Sequence, residues 1–212
     1  MQYRRRLPHI SSTEHPVFIT WQLHGSLPAH RVFPGGGMSS GQAFAALDRL
    51  LGETRTGPFY LRKPALADMV VKAISYNSHV VGHYVLHAFV VMPNHVHLLL
   101  TAQVELPRLT KSLKGITAKR ANILLALTGN PFWQEESYDH AVRHEREFES
   151  IRRYIEEDPV RAGLVRHACD YRWSSAGWAT GGGRPRTRGS APQAVVSRCA
   201  GARVRPIQAI TA

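Results

Sequence analysis

The sequence has little cysteine, no uninterrupted long apolar run and, toward its C-terminal end, no acid at all. Cys169 and Cys199 are its only cysteines, too few and too far apart for a disulfide framework or a structural zinc site, so a reducing cytoplasm is the expected compartment. The most apolar stretch, 80–100, is broken by His83, His87, Pro93, Asn94, His95 and His97 and is no membrane span. The start, Met1 to Arg6, is basic like the head of a signal peptide, but Leu7-Pro8-His9-Ile10 and Ser11-Ser12-Thr13-Glu14 follow instead of an apolar core. The expectation is a soluble protein that is not exported. A Gly-x-x-x-x-Gly-Lys-Ser/Thr loop is also missing, which excludes the common way of binding a nucleoside triphosphate.

Positive charge, by contrast, is in excess. The 212 residues hold 27 Lys+Arg against 15 Asp+Glu, a formal charge of +12 that points to a polyanionic partner, nucleic acid first. Half of that excess lies after Thr180, in Arg184, Arg186, Arg188, Arg198, Arg203 and Arg205. The length suits one catalytic domain with extensions, expected as a basic arm over 1–16, a domain over 17–180 and a disordered basic tail over 181–212.

Within that domain, Val17 to Leu23 is β-branched and aromatic and predicts a strand. Gln42 to Leu51 and Pro64 to about Asn77 carry apolar residues at helical spacing, as does Leu106 to about Thr128, where Lys111, Lys114, Lys119 and Arg120 form a basic face. Tyr84 to Met92 and His95 to Thr101 predict a hairpin turning at Pro93-Asn94. Residues 132–140 read as a loop, and Glu145 to Glu157 as a helix ended by Pro159, which puts Asp158 at or next to its last residue.

Side chains alternate faces along a strand, so His95 and His97 project from one side while Val96 points to the other. Taken alone, such a pair is open to two readings: structural imidazoles in a core, or two ligands of a metal. On the later helix, Tyr154 and Asp158 lie four residues apart and share a face. The same helix end holds Glu156, Glu157 and Asp158, where the macrodipole favours cations, so either Arg152, Arg153 and Arg161 or a bound cation should compensate. Two imidazoles and a carboxylate leave coordination positions open for a substrate oxygen, as catalytic metal sites do. A metal there would neutralise charge on a phosphodiester under attack, and an adjacent cation would favour the phenolate of Tyr154. Attack by that phenolate would join nucleic acid to protein through phosphotyrosine, which keeps the phosphodiester energy for resealing.

His95-Val96-His97, then Phe132-Trp133-Gln134, Tyr138-Asp139-His140-Ala141-Val142-Arg143, and the run from Tyr154 through Asp158-Pro159-Val160-Arg161-Ala162-Gly163 to Val165 form an ordered series. It resembles the REP-associated tyrosine transposases, members of the HUH group of single-stranded-DNA transposases, from about Val17 to Ser175. The resemblance implies an α/β, ferredoxin-like fold with a central antiparallel sheet and packed helices. It implies that His95, His97 and Asp158 bind Mg2+ or Mn2+, that Tyr154 is the nucleophile, and that a 5′-phosphotyrosine forms with release of a 3′-hydroxyl. Where the family usually has Asn, this chain has Asp158, a stronger ligand for a divalent cation, and function is expected to be retained.

The expected partner is single-stranded or hairpin DNA, met by a monomer or homodimer near the nucleoid. Arg4, Arg5, Arg6, Lys111, Lys114, Trp133, Tyr138, His140 and Arg143 are the candidate DNA contacts, each set against a solvated or structural role. Tyr138 is the competing nucleophile, without an acid four residues on. Two other classes stay open: a nucleic-acid-binding protein of this fold that has lost cleavage, and a non-haem iron or zinc enzyme using two histidines and a carboxylate.

Overall fold

A computed structural model describes residues 15–27, 48–51 and 57–178. The expected arm up to residue 14, with Arg4, Arg5 and Arg6, and the expected tail over 181–212 lie outside the described residues. In chain order the elements are strand β1 (Pro16–Gln22), helix α1 (Pro64–His79), strands β2 (Tyr84–Val91) and β3 (His95–Ala102), helix α2 (Leu106–Leu125), strand β4 (Tyr138–Ala141), helix α3 (Glu145–Arg161) and a short α4 (Ser175–Trp178). The four strands form one sheet in the order β2-β3-β1-β4 with every pair antiparallel. Two β-α-β units whose strands interleave in this way make the split, ferredoxin-like arrangement.

Each face of the sheet has its own helical cover. Val17, Ile19 and Trp21 of β1 and Val96, Leu98 and Leu100 of β3 meet Val70 and Ile74 of α1 and Leu109 and Leu113 of α2. The residues between them face the other way: Phe18 and Leu99 join Tyr138 of β4 and Ile155 of α3. The apolar stripes explain why α1 and α2 lie flat. Leu66, Val70 and Ile74 recur every four residues on α1, as do Leu109, Leu113, Thr117 and Ala121 on α2. Among the described residues no helix is long and apolar enough to cross a membrane.

Three boundaries differ from the sequence expectation. The segment 132–140 is not all loop, because Tyr138–Ala141 pairs with β1 as an edge strand. Helix α2 stops at Leu125, before the expected Gly129-Asn130-Pro131, since Ala126 turns left-handed at φ 55°. Helix α3 runs through Pro159 to Arg161. A proline near a helix end forfeits one N–H bond without interrupting the chain direction, and the stop comes instead at Gly163. With φ 69°, Gly163 donates its N–H to Val160 and lets Leu164 donate to Pro159, the paired bonds of a Schellman cap.

Candidate metal centre and tyrosine

Strand alternation and register bring the two histidines to the face covered by α3. Thr20 of β1 lies opposite His97 of β3, and its hydroxyl is 2.7 Å from His97 Nδ1. Asn94, in the hairpin turn, does more than turn the chain. Its Nδ2 donates to the Leu51 carbonyl at 3.1 Å, which fixes the amide so that Oδ1 meets His95 Nδ1 at 2.7 Å. A carbonyl oxygen only accepts, so His95 Nδ1 carries the proton and Nε2 carries the lone pair. That Nε2 is buried and has no hydrogen-bond partner. Burial lowers the His95 pKa and His97 adds to the effect, outweighing Asp158 and Asp48, so the imidazole is neutral, the form that binds metal.

The helix supplies the opposite wall. Tyr154, Asp158 and Arg161 occupy successive turns of one α3 face. Arg161 donates to Asp158 Oδ1 at 2.9 Å, and its guanidinium lies 3.8 Å from the centre of the Tyr154 ring. Of the arginines expected to compensate this acidic helix end, Arg152 lies 3.6 Å from Glu156 and Arg161 takes one oxygen of Asp158. The other, Oδ2, is buried without a hydrogen-bond partner, 3.5 Å from His95 Nε2 and 3.7 Å from His97 Nε2. Burial alone would raise the Asp158 carboxyl; the imidazoles of His95 and His97 outweigh it and hold the group below the usual carboxylate range, against Asp48.

A fourth group escaped the sequence reading. Asp48, in a helical turn over 48–51, places Oδ1 3.0 Å from His97 Nε2 and 4.0 Å from His95 Nε2. Burial works against its charge, but His97, Tyr154 and His95 hold its carboxyl well below the ordinary range. An acid on a periodic helical segment carries no spacing signal toward residues in a later hairpin, and only the packing reveals it. One atom from each of Asp48, His95, His97 and Asp158 lies within 4.8 Å of all the others.

These four fit a divalent cation. Donors about 2.1 Å from one ion stand about 3.0 to 3.4 Å apart, close to the imidazole–carboxylate separations of 3.0 to 4.0 Å seen here. Two carboxylates with two imidazoles suit a hard or borderline cation, and the buried lone pairs of His95 Nε2 and Asp158 Oδ2 face the same space. The Tyr154 ring is 6.0 Å from that of His97. Burial, then Asp48 and Asp158, push its phenol above the usual value, with Arg161 opposing them. The phenolate therefore needs added positive charge in this site.

The other candidates are dispersed. Trp133 is in the core, 6% exposed, with its indole N–H donated to Thr117 Oγ1 at 2.8 Å, the structural role that had been set against DNA contact. Lys114 donates from Nζ to the carbonyls of Gln134 and Glu135, both at 2.7 Å, and so holds a loop rather than extending to a phosphate. Burial pushes its pKa down to about 8 against the pull of Glu135 and Glu136. Lys111 is exposed on α2. Tyr138 is buried in β4, not in a loop, while His140 pairs with Glu147 at 2.7 Å and Arg143 is exposed beside it.

Comparison with known proteins gives a family model and two solved structures. Residues 62–158 match the model described as "Transposase IS200 like". A REP-associated tyrosine transposase bound to a REP hairpin aligns at 18% identity over 82% of each chain, with a TM-score of 0.46. A putative transposase from Deinococcus radiodurans R1 aligns at 21% identity over 74% of this chain and 98% of its own, with a TM-score of 0.36. No curated protein matches. The matched stretch, just under half of the chain, runs from just before α1 to Asp158 and takes in both histidines and Tyr154 but not Asp48.

Proposed function

We propose that this protein is a metal-dependent tyrosine transposase of the REP-associated kind, which cleaves single-stranded DNA beside a hairpin and rejoins it. The observation that carries the reading is the convergence of Tyr154 and Asp158 on His95, His97 and Asp48 in one buried cluster. Asp48, His95, His97 and Asp158 would hold Mg2+ or Mn2+. Such an ion, when bound, supplies positive charge that favours phenolate and offsets charge gathering on the phosphate oxygens.

The rest falls to side chains of this chain. Tyr154 loses its phenolic proton, with Asp48 as the carboxylate facing it. Its oxygen bonds to phosphorus as the P–O3′ bond breaks, and the departing 3′-oxygen takes a proton. A 5′-phosphotyrosine and a free 3′-hydroxyl result, and attack by a later 3′-hydroxyl reverses the exchange and frees the tyrosine. Arg161 keeps the Tyr154 ring in place from its outer side. Asn94 and Thr20 fix the histidine rings from behind, the usual second layer of a metal site.

The test is incubation of the protein with labelled hairpin-bearing single-stranded DNA and Mn2+. A covalent protein–DNA adduct is expected, abolished by EDTA and by Tyr154→Phe. An adduct that survives Tyr154→Phe would overturn the assignment. Absence of any adduct with tight DNA binding would favour a binding protein that has lost cleavage, and iron or zinc in the purified protein with no adduct would favour the oxygenase-like or hydrolytic class.

A further inference from the structure

Beside Tyr154, on the side away from Arg161, a recess of about 590 Å3 runs between β4 and the first three turns of α3. That volume lies within the range of small-molecule sites, about 300 to 1,000 Å3, and admits one nucleotide but no duplex. Its floor is aromatic and aliphatic. Phe18 and Tyr138 are buried there with rings 6.3 Å apart, and Ile151 lies alongside. The Tyr154 ring closes one end, edge-on to Phe18 at 6.5 Å.

One wall is polar and fixed. Glu147 takes His140 Nε2 on one carboxylate oxygen at 2.7 Å and the Arg143 backbone N–H on the other at 3.0 Å. The rim carries exposed His144, Arg146 and Ser150, with Arg143 next to it. An apolar floor under a basic rim suits a flat aromatic group attached to an anion.

From this we infer that the recess receives the base of a nucleotide adjoining the phosphate that Tyr154 attacks. The inference rests on the proposed role of Tyr154. A phosphate at the Tyr154 hydroxyl brings its neighbouring nucleotides to this wall, because the tyrosine is itself part of the lining. The base lies against the partly exposed Ile151 and Tyr154 above that buried floor, a contact that tolerates any base since each has a π-face. The sugar-phosphate follows the rim of His144 and Arg146. Such a pocket would hold the strand straddling the scissile bond by two points, the phosphate and one flanking base.

The experiment is a 1H–15N spectrum of the full chain titrated separately with dTMP, dAMP and 2-deoxyribose 5-phosphate, in the presence of Mn2+-free buffer so that signals stay sharp. Both nucleotides are expected to shift amides within 138–151, and the sugar phosphate lacking a base to leave them in place. Ser150→Trp, an exposed rim substitution, should weaken the nucleotide titration about tenfold or more, the scale of one lost stacking contact. Shifts equal for all three ligands, shifts outside 138–151, or unchanged affinity in Ser150→Trp would each overturn the inference. The tyrosine adduct is measured separately. An adduct without base binding here sinks only the recess, whereas base binding without an adduct sinks the parent reading and with it the placing of that base beside a scissile phosphate.

Discussion

Asp48→Asn separates a ligand from a structural acid. The carboxylates of Asp48 and Asp158 offer atoms no more than 4.8 Å apart. At an effective dielectric near 20, two unit charges at that spacing repel by about 3.5 kcal/mol. Against this stands the bond from His97 Nε2 to Asp48 Oδ1 at 3.0 Å, worth about 1.5 to 3 kcal/mol to a charged group and partly kept by an asparagine. Because His97, Tyr154 and His95 hold the Asp48 carboxyl well below its ordinary range, the folded state favours the carboxylate in spite of Asp158, and metal-free Asp48→Asn is expected to be less stable than the parent, read as a lower Tm. The metal-bound protein loses more. A saturating cation stabilises by its binding energy, about 2.7 kcal/mol at a hundred times Kd, and loss of one charged ligand cuts that term. Thermal unfolding of EDTA-treated protein, with and without millimolar Mn2+, measures both. A variant that keeps the full Mn2+ shift would refute the reasoning and make Asp48 a structural partner of His97 only.

The same site has a pH signature. The folded His95 pKa is lowered, first by burial, so between the unfolded value near 6.5 and the folded one the unfolded chain binds the extra proton. The His95 contribution to stability therefore falls as pH drops below about 6.5. In an NMR titration its ring should protonate only below the ordinary histidine value, and protonation above 6.5 would contradict the environment described. Thr117→Val removes the acceptor of the buried Trp133 indole N–H and should cost about 1 to 3 kcal/mol; denaturant unfolding checks it, and a neutral result would mean the indole finds another partner. Gly163→Ala meets no atom within 4 Å but must adopt φ 69°, costing about 1 to 2 kcal/mol, read as a lower Tm with Mn2+ affinity unchanged.

Strong periodicity made most of the fold readable. The hairpin carrying His95 and His97 is bounded by a Pro-Asn turn, and α1 and α2 show their stripes directly. Strand β4 did not, because Tyr138-Asp139-His140-Ala141 is short and polar, and it becomes a strand only by pairing with the edge of β1. Helix α3 outruns the expected stop at Pro159 for a local reason: the Schellman cap at Gly163, not the proline, sets its end. In the site, Tyr154 and Asp158 are joined by helical spacing and the histidines by strand spacing, both local relations. Asp48 and the orienting contact of Asn94 with His95 depend on tertiary packing between 48–51 and the hairpin, which no spacing encodes.

The central claim is that Tyr154 forms the covalent bond to DNA. Peptide mass spectrometry of the Mn2+-dependent adduct after nuclease and protease digestion locates the attached nucleotide. The account predicts a phosphotyrosine linkage on the peptide containing Tyr154, to a 5′-phosphate. A nucleotide on Tyr138, which lies buried across the recess from Tyr154, or on any other residue would contradict it.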